Sequence, residues 1–169
     1  MESTIYIDLN RCSGCGACVV ACMDQNDIQV GEKSQAFRRI RTVETAEYPE
    51  TSITYVSMAC MHCEDAPCII GCPTGAIVKD SVTGAIIVKA NLCIGCHSCA
   101  IACPFGVPRF GDDNIMQKCN LCTERVEYGL EPACVRVCPA EALRFGPINA
   151  LQDDKEAKFY DRIVSSVGR

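Results

Sequence analysis

The residues able to do chemistry in this chain are cysteines, sixteen of them in 169 residues, and they fall into four groups of four. Group I is Cys12, Cys15, Cys18 and Cys22; group II is Cys60, Cys63, Cys68 and Cys72; group III is Cys93, Cys96, Cys99 and Cys103; group IV is Cys119, Cys122, Cys134 and Cys138. Groups I and III share the spacing C-x2-C-x2-C-x3-C, while group II stretches the middle gap to four residues and group IV to eleven. Thiolates are soft ligands, and quartets of them point to metal. A cubane 4Fe-4S cluster takes one thiolate per iron, so sixteen cysteines make four sites if all are ligands.

Three ligands spaced two residues apart can wrap one cluster on a tight loop. Small residues in that loop let the backbone close around sulfide and present its N–H groups, a role for Gly14, Gly16 and Gly95. The fourth cysteine lies one helical turn beyond the third, faces away from its own loop and must ligate elsewhere. Two-cluster ferredoxins work this way, the last Cys of a C-x2-C-x2-C-x3-C-P run binding the other cluster. Pro73, Pro104 and Pro139 follow the last cysteine of three groups, whereas Met23 follows Cys22.

Other readings are weaker. A zinc ribbon also uses paired C-x2-C, but it does not call for four quartets each ending C-x3-C. A disulfide scaffold belongs to secreted chains. His62 and His97 sit inside cysteine loops, where the full cysteine count makes imidazole ligation of the Rieske kind unnecessary; a hydrogen-bonding or packing role is preferred. Arg11 and Lys118 each precede a first ligand. They are read as solvated surface charges, with tuning of a cluster's potential as the alternative.

The elements that must hold these loops are short. Around each group the pattern reads strand, cysteine loop, short helix, strand. Ile5, Ile7 and Leu9 alternate with Tyr6 and Asp8, which predicts a strand into group I, and Ala17 to Asp27 predicts a helix after it. Ile53 to Met58 reads as a strand into group II. Ala76–Val78 and Ala85–Val88, joined by a turn-rich segment, read as a hairpin between groups II and III. Gly31 to Glu50, with Phe37, Ile40 and Val43 in no clean period, reads as an extended connection. Tyr160, Ile163, Val164 and Val167 sit at helical spacing within Leu151–Val167, predicting a C-terminal helix that covers the core or docks a partner.

Aromatics are only 6% with no Trp, so clusters must substitute for the large side chains of an ordinary core. A net charge of −5 and a pI near 5.0 exclude the basic footprint of a nucleic-acid binder. The N-terminal MESTIYIDLNRC shows no leader pattern and no window reaches a membrane span, so the expected compartment is the cytoplasm. No dinucleotide fingerprint, phosphate loop or paired nucleophile and base is visible, and the expected role is electron transfer without catalysis.

Cys60-Met61-His62-Cys63, Pro67-Cys68, Cys72-Pro73-Thr74-Gly75-Ala76-Ile77, Lys118-Cys119-Asn120-Leu121-Cys122 and the long gap to Cys134 resemble the four-cluster ferredoxin subunits of molybdenum and tungsten oxidoreductases. These include dimethyl sulfoxide reductase-type enzymes, formate dehydrogenases, formate hydrogenlyase-like complexes and aldehyde oxidoreductases. The resemblance covers roughly Ile5 to Phe145. It implies an α+β fold of two nested ferredoxin-like units, with small antiparallel strands and short helices around four 4Fe-4S clusters. The outer unit would be residues 1–50 and 112–150, the inner one 51–111, with 151–169 a helical extension. The implied ligand sets are Cys12, Cys15, Cys18 and Cys138; Cys22, Cys119, Cys122 and Cys134; Cys60, Cys63, Cys68 and Cys103; and Cys72, Cys93, Cys96 and Cys99. The implied partner is a Mo- or W-pterin catalytic subunit of formate dehydrogenase or aldehyde oxidoreductase type, with a flavin, hydrogenase or ferredoxin partner beyond it. A freely diffusing polyferredoxin is the alternative, and a cluster-based redox sensor would need a DNA-binding or signalling module that the sequence does not show.

Overall fold

The computed structural model describes residues 3–29, 35–47 and 49–155. Along the chain, β1 (Ser3–Ile7) leads through the group I loop into α1 (Ala17–Gln25), then β2 (Arg39–Glu47) and β3 (Glu50–Met58). After the group II loop come α2 (Pro67–Ile70), β4 (Ile77–Lys79) and β5 (Ile86–Val88). Group III opens α3 (Ser98–Ala102), followed by β6 (Arg109–Phe110) and β7 (Met116–Gln117). Group IV carries α4 (Thr123–Glu127) and α5 (Ala133–Arg136), and β8 (Leu143–Pro147) follows.

The described strands form four separate antiparallel pairs, β1 with β8, β2 with β3, β4 with β5 and β6 with β7. The architecture is α+β. The pair β1–β8 joins the two ends of the cysteine-bearing region, setting Ile5 opposite Phe145 and Ile7 opposite Leu143. Alternation puts Ile5 and Ile7 on one face, where they pack with Leu143 and Val135 against Cys18 and Cys134. A second small core gathers Ala66, Ile77, Ile86, Cys99 and Met116. Both cores thus contain thiols.

The extended connection expected over Gly31–Glu50 is, from Arg39 to Glu47, a strand. Nine register pairs to β3 hold it, from Arg39 opposite Met58 to Glu47 opposite Glu50. Its alternation is invisible because residues 41–46 are all exposed, so neither face demands apolar side chains there. Residues 148–155 are helical, which begins ahead of the helix expected from Leu151; Tyr160, Ile163, Val164 and Val167 lie outside the described residues. Among the described residues no helix is long and apolar enough to cross a membrane.

Candidate metal centres

All sixteen cysteines are free thiols, and one backbone device recurs in each group. The residue before the second cysteine is left-handed every time: Gly14 at φ 71°, His62 at 46°, Gly95 at 65° and Leu121 at 62°. That reversal lets two thiols two residues apart face one space. At Gly14 and Gly95 a side chain is also excluded by close approach. A Cβ on Gly14 would lie 2.5 Å from the Tyr55 ring, and one on Gly95 would lie 2.6 Å from the Asn114 carbonyl oxygen. His62 takes the conformation without glycine's freedom, and its Nδ1 accepts the Ile86 N–H at 2.9 Å.

Four thiols ring each of two hollows. Cys72, Cys93, Cys96 and Cys99 line one, together with Ile77 and Met116. Cys12, Cys15, Cys18 and Cys138 line the other, beside Ile40 and Leu143. In each, three thiols come from one group and the fourth from another. The remaining eight cysteines also gather across groups. Cys68 lies within electrostatic reach of Cys60 and Cys103, and Cys63 packs with it against Ala66, Ile77 and Ile86. Cys22 is near Cys134 and Cys122, and Cys119 is near Cys60 and Cys22. Among the described residues no three His, Cys, Asp or Glu groups converge tightly enough for a single ion. The thiols surround volumes, which suits a multi-atom cluster.

The family described as "4Fe-4S dicluster domain" matches residues 51–148, and a second family of the same description matches residues 11–76. The chain belongs to the 4Fe-4S dicluster family. Among similar proteins, the thiosulfate reductase electron transfer subunit of Salmonella typhi is 44% identical over 84% of this chain and 74% of its own length. A component of the anaerobic dimethyl sulfoxide reductase of Escherichia coli K12 is 38% identical over 87% and 74% respectively. A sulfite dehydrogenase subunit of Allochromatium vinosum is 36% identical over 88% and 70%. Four 4Fe-4S clusters, one per quartet of thiols, follow from the family and the cysteine count.

The surroundings of these dicluster loops fit sulfur-rich anions. Backbone N–H groups approach the sulfurs: Met116 to Cys93 at 3.5 Å, Leu121 to Cys119 at 3.4 Å, and those of Arg38 and Phe37 to Cys22. Among the described residues, two buried polar atoms, Arg38 Nε and His62 Nε2, have no hydrogen-bond partner. Burial, with the charges of Lys118 and Arg38 nearby, lowers the His62 pKa to about 3. His62 is therefore neutral near pH 7, and because Nδ1 accepts, Nε2 carries the proton. Both orphans are donors, the kind of group that a thiolate or sulfide can satisfy.

Protonation differs across the sites. Burial pushes the Cys119 thiol up to about 12, and it raises Cys18, Cys22 and Cys122 as well. At Cys72 burial also opposes ionisation, but hydrogen bonds from Thr74 and from the backbone of Ala76 and Ile77 together bring the pKa below the usual value. The Ser98 hydroxyl and backbone N–H do the same for Cys96.

Several functional residues escape a reading of the sequence. Lys118, expected to be a solvated surface charge, is 6% exposed and donates to the carbonyls of Ile86 and, at 3.0 Å, Cys119. The strand β5 closes over it, and nothing local to Lys118 announces that. Arg11 is partly exposed and pairs with Glu141 at 3.1 Å, as a surface charge should. His97 stacks on Phe110 with ring centroids 3.7 Å apart, and its Nε2 lies 3.0 Å from Asn114 Oδ1. Arg38 and Ser57, 2% and 1% exposed, had no signal in the sequence beyond their types.

Proposed function

We propose that the chain is the electron-transfer subunit of an oxidoreductase complex, carrying single electrons along four clusters between a Mo- or W-pterin catalytic subunit and a further redox partner. The observation that carries the reading is the pair of four-thiol hollows, each completed by a cysteine borrowed from a second group. When bound, the clusters supply one-electron storage without proton chemistry of their own. The chain's part is to space them, exclude water and present N–H donors to the sulfurs.

The ligand sets we assign are Cys12, Cys15, Cys18 and Cys138; Cys22, Cys119, Cys122 and Cys134; Cys60, Cys63, Cys68 and Cys103; and Cys72, Cys93, Cys96 and Cys99. The proximity of Cys119 to Cys60, and of Cys18 to Cys134, supports a continuous series from the first set to the last. Pairing of β1 with β8 supports a nested plan, with residues 51–111 inserted in an outer unit of 1–50 and 112–150. The relatives bear the names of both dehydrogenase and reductase subunits. That supports a catalytic partner working in either direction, with formate dehydrogenase and aldehyde oxidoreductase types within the class. Location in the cytoplasm belongs to the same reading.

Anaerobic purification from the native cells tests it. We expect about sixteen irons per chain, four for each cluster, and a large pterin-bearing subunit that copurifies. A lone monomer at native concentration would remove the complex from the reading, and bound zinc in a colourless protein would remove the clusters.

A further inference from the structure

Arg38 lies just before β2, and its side chain enters the protein between cysteine groups. It is 2% exposed. Nη1 donates to the carbonyl and to the hydroxyl of Ser57, both at 3.1 Å, and Ser57 Oγ lies 3.4 Å from Cys18 Sγ. The backbone N–H of Arg38 serves Cys22. Among the described residues no carboxylate pairs with the guanidinium, and its Nε has no partner. A buried cation without an anion is strongly disfavoured, because its lost hydration must be replaced. The groups within its electrostatic reach include Cys18, Cys119 and Cys122. As neutral thiols these cannot balance the charge. As thiolates on anionic clusters they can.

We propose that Arg38 is the shared counter-charge of the two clusters held by groups I and IV, and that it raises the reduction potential of both. The inference rests on the reading that these thiols hold clusters. Reduction adds one electron to an already anionic centre, and a fixed cation in a poorly polarisable interior favours the more negative state. The electron is given up by the neighbouring redox centre on the path, which is oxidised by one equivalent, so no other reductant enters. Guanidinium keeps its charge at any working pH, which makes this bias constant where a lysine or histidine could lose it. Ser57 anchors the guanidinium and also meets Cys18, so the charge is held in place by the backbone of β3.

The test is an anaerobic redox titration of the purified holo-complex followed by electron paramagnetic resonance, with iron determined on the same samples. Wild type is compared with Arg38→Gln, Arg38→Lys and the exposed-charge control Arg41→Gln. We expect Arg38→Gln to keep its iron while two midpoints fall by about 59 mV, a tenfold change in a one-electron equilibrium. Arg38→Lys should recover most of that shift, and Arg41→Gln should show none. Full iron with unchanged midpoints in Arg38→Gln overturns the proposal. A wild-type protein short of iron overturns the cluster reading itself, and the inference with it. If Arg38→Gln does not retain iron, wild type labelled with ¹⁵N only in the guanidinium nitrogens of arginine decides by pulsed resonance. A nitrogen coupling to a reduced cluster that disappears in Arg38→Lys supports the proposal, and no coupling in wild type overturns it.

Discussion

Lys118 holds two backbone carbonyls together from inside the protein, that of Ile86 in β5 and its neighbour Cys119. Replacing it with Met keeps the apolar stem and removes both donors. Because the site is buried, the freed carbonyls cannot turn to water, and we expect Lys118→Met to destabilise the holo-protein by about 2 kcal/mol. Anaerobic denaturant unfolding measures it; no change would mean that the ammonium is solvated after all. Glycines give a sharper contrast. Gly129 has φ 72° with nothing within 4 Å of an added Cβ, so Gly129→Ala meets only the left-handed penalty, about 1 kcal/mol, and should keep its iron. Gly95→Ala adds a clash with Asn114, whose side-chain amide also donates to the Gly95 carbonyl at 3.2 Å. Iron should leave the set of Cys72, Cys93, Cys96 and Cys99 in that variant, read as a shortfall of about four irons per chain. Equal iron in the two alanine variants would refute the argument.

At the level of elements, the pair β1–β8 does the work of a clasp. Leu143 is 3% exposed and packs with Ile5, Ile7 and Phe145 beside Cys18 and Cys134. Leu143→Ala should cost about 3 kcal/mol, and iron held by groups I and IV should be lost to a chelator sooner than in wild type. Loss shared evenly among all four groups would argue against the clasp. What the sequence revealed here follows one rule: elements whose apolar side chains turn together onto a core could be read. The strand at Ile5 and Ile7, the helix from Ala17 and the hairpin of Ile77 and Ile86 belong to that class. The strand β2 did not, since residues 41–46 are exposed on both faces, and α2, α4 and α5 are too short for a period of 3.6 to show. All sixteen cysteines could be read because their spacing is local. The burial of Arg38 and Lys118 could not, because segments distant in sequence, β3 over one and β5 over the other, decide it.

Across the whole molecule the thiols run from exposed to buried. Cys15 and Cys96 are exposed, whereas Cys22, Cys119, Cys122 and Cys134 are all buried. A conductor needs that arrangement, with centres near the surface to exchange electrons with partners and interior ones kept from water and oxidants. The same gradient sets thiol reactivity, since the thiolate is the nucleophile. Hydrogen bonds from Ser98 favour ionised Cys96 once iron leaves, while burial holds Cys119 protonated up to about 12. Raised above the 9.0 of a free thiol, the Cys119 group contributes stability to the iron-free fold below about pH 9 and loses it as the pH climbs toward 12. Gradual chelation of the anaerobic holo-protein at pH 8 with iodoacetamide present, followed by peptide mass spectrometry, should therefore label Cys15, Cys72 and Cys96 first and Cys119 last. Raising the pH should speed labelling at Cys119 by about tenfold per unit, because each unit multiplies its small thiolate fraction by ten, while Cys96, which ionises at lower pH, gains less. Simultaneous labelling of Cys96 and Cys119 would show that the interior sites open to solvent as readily as the outer ones, and a wire with an insulated middle would not describe this protein.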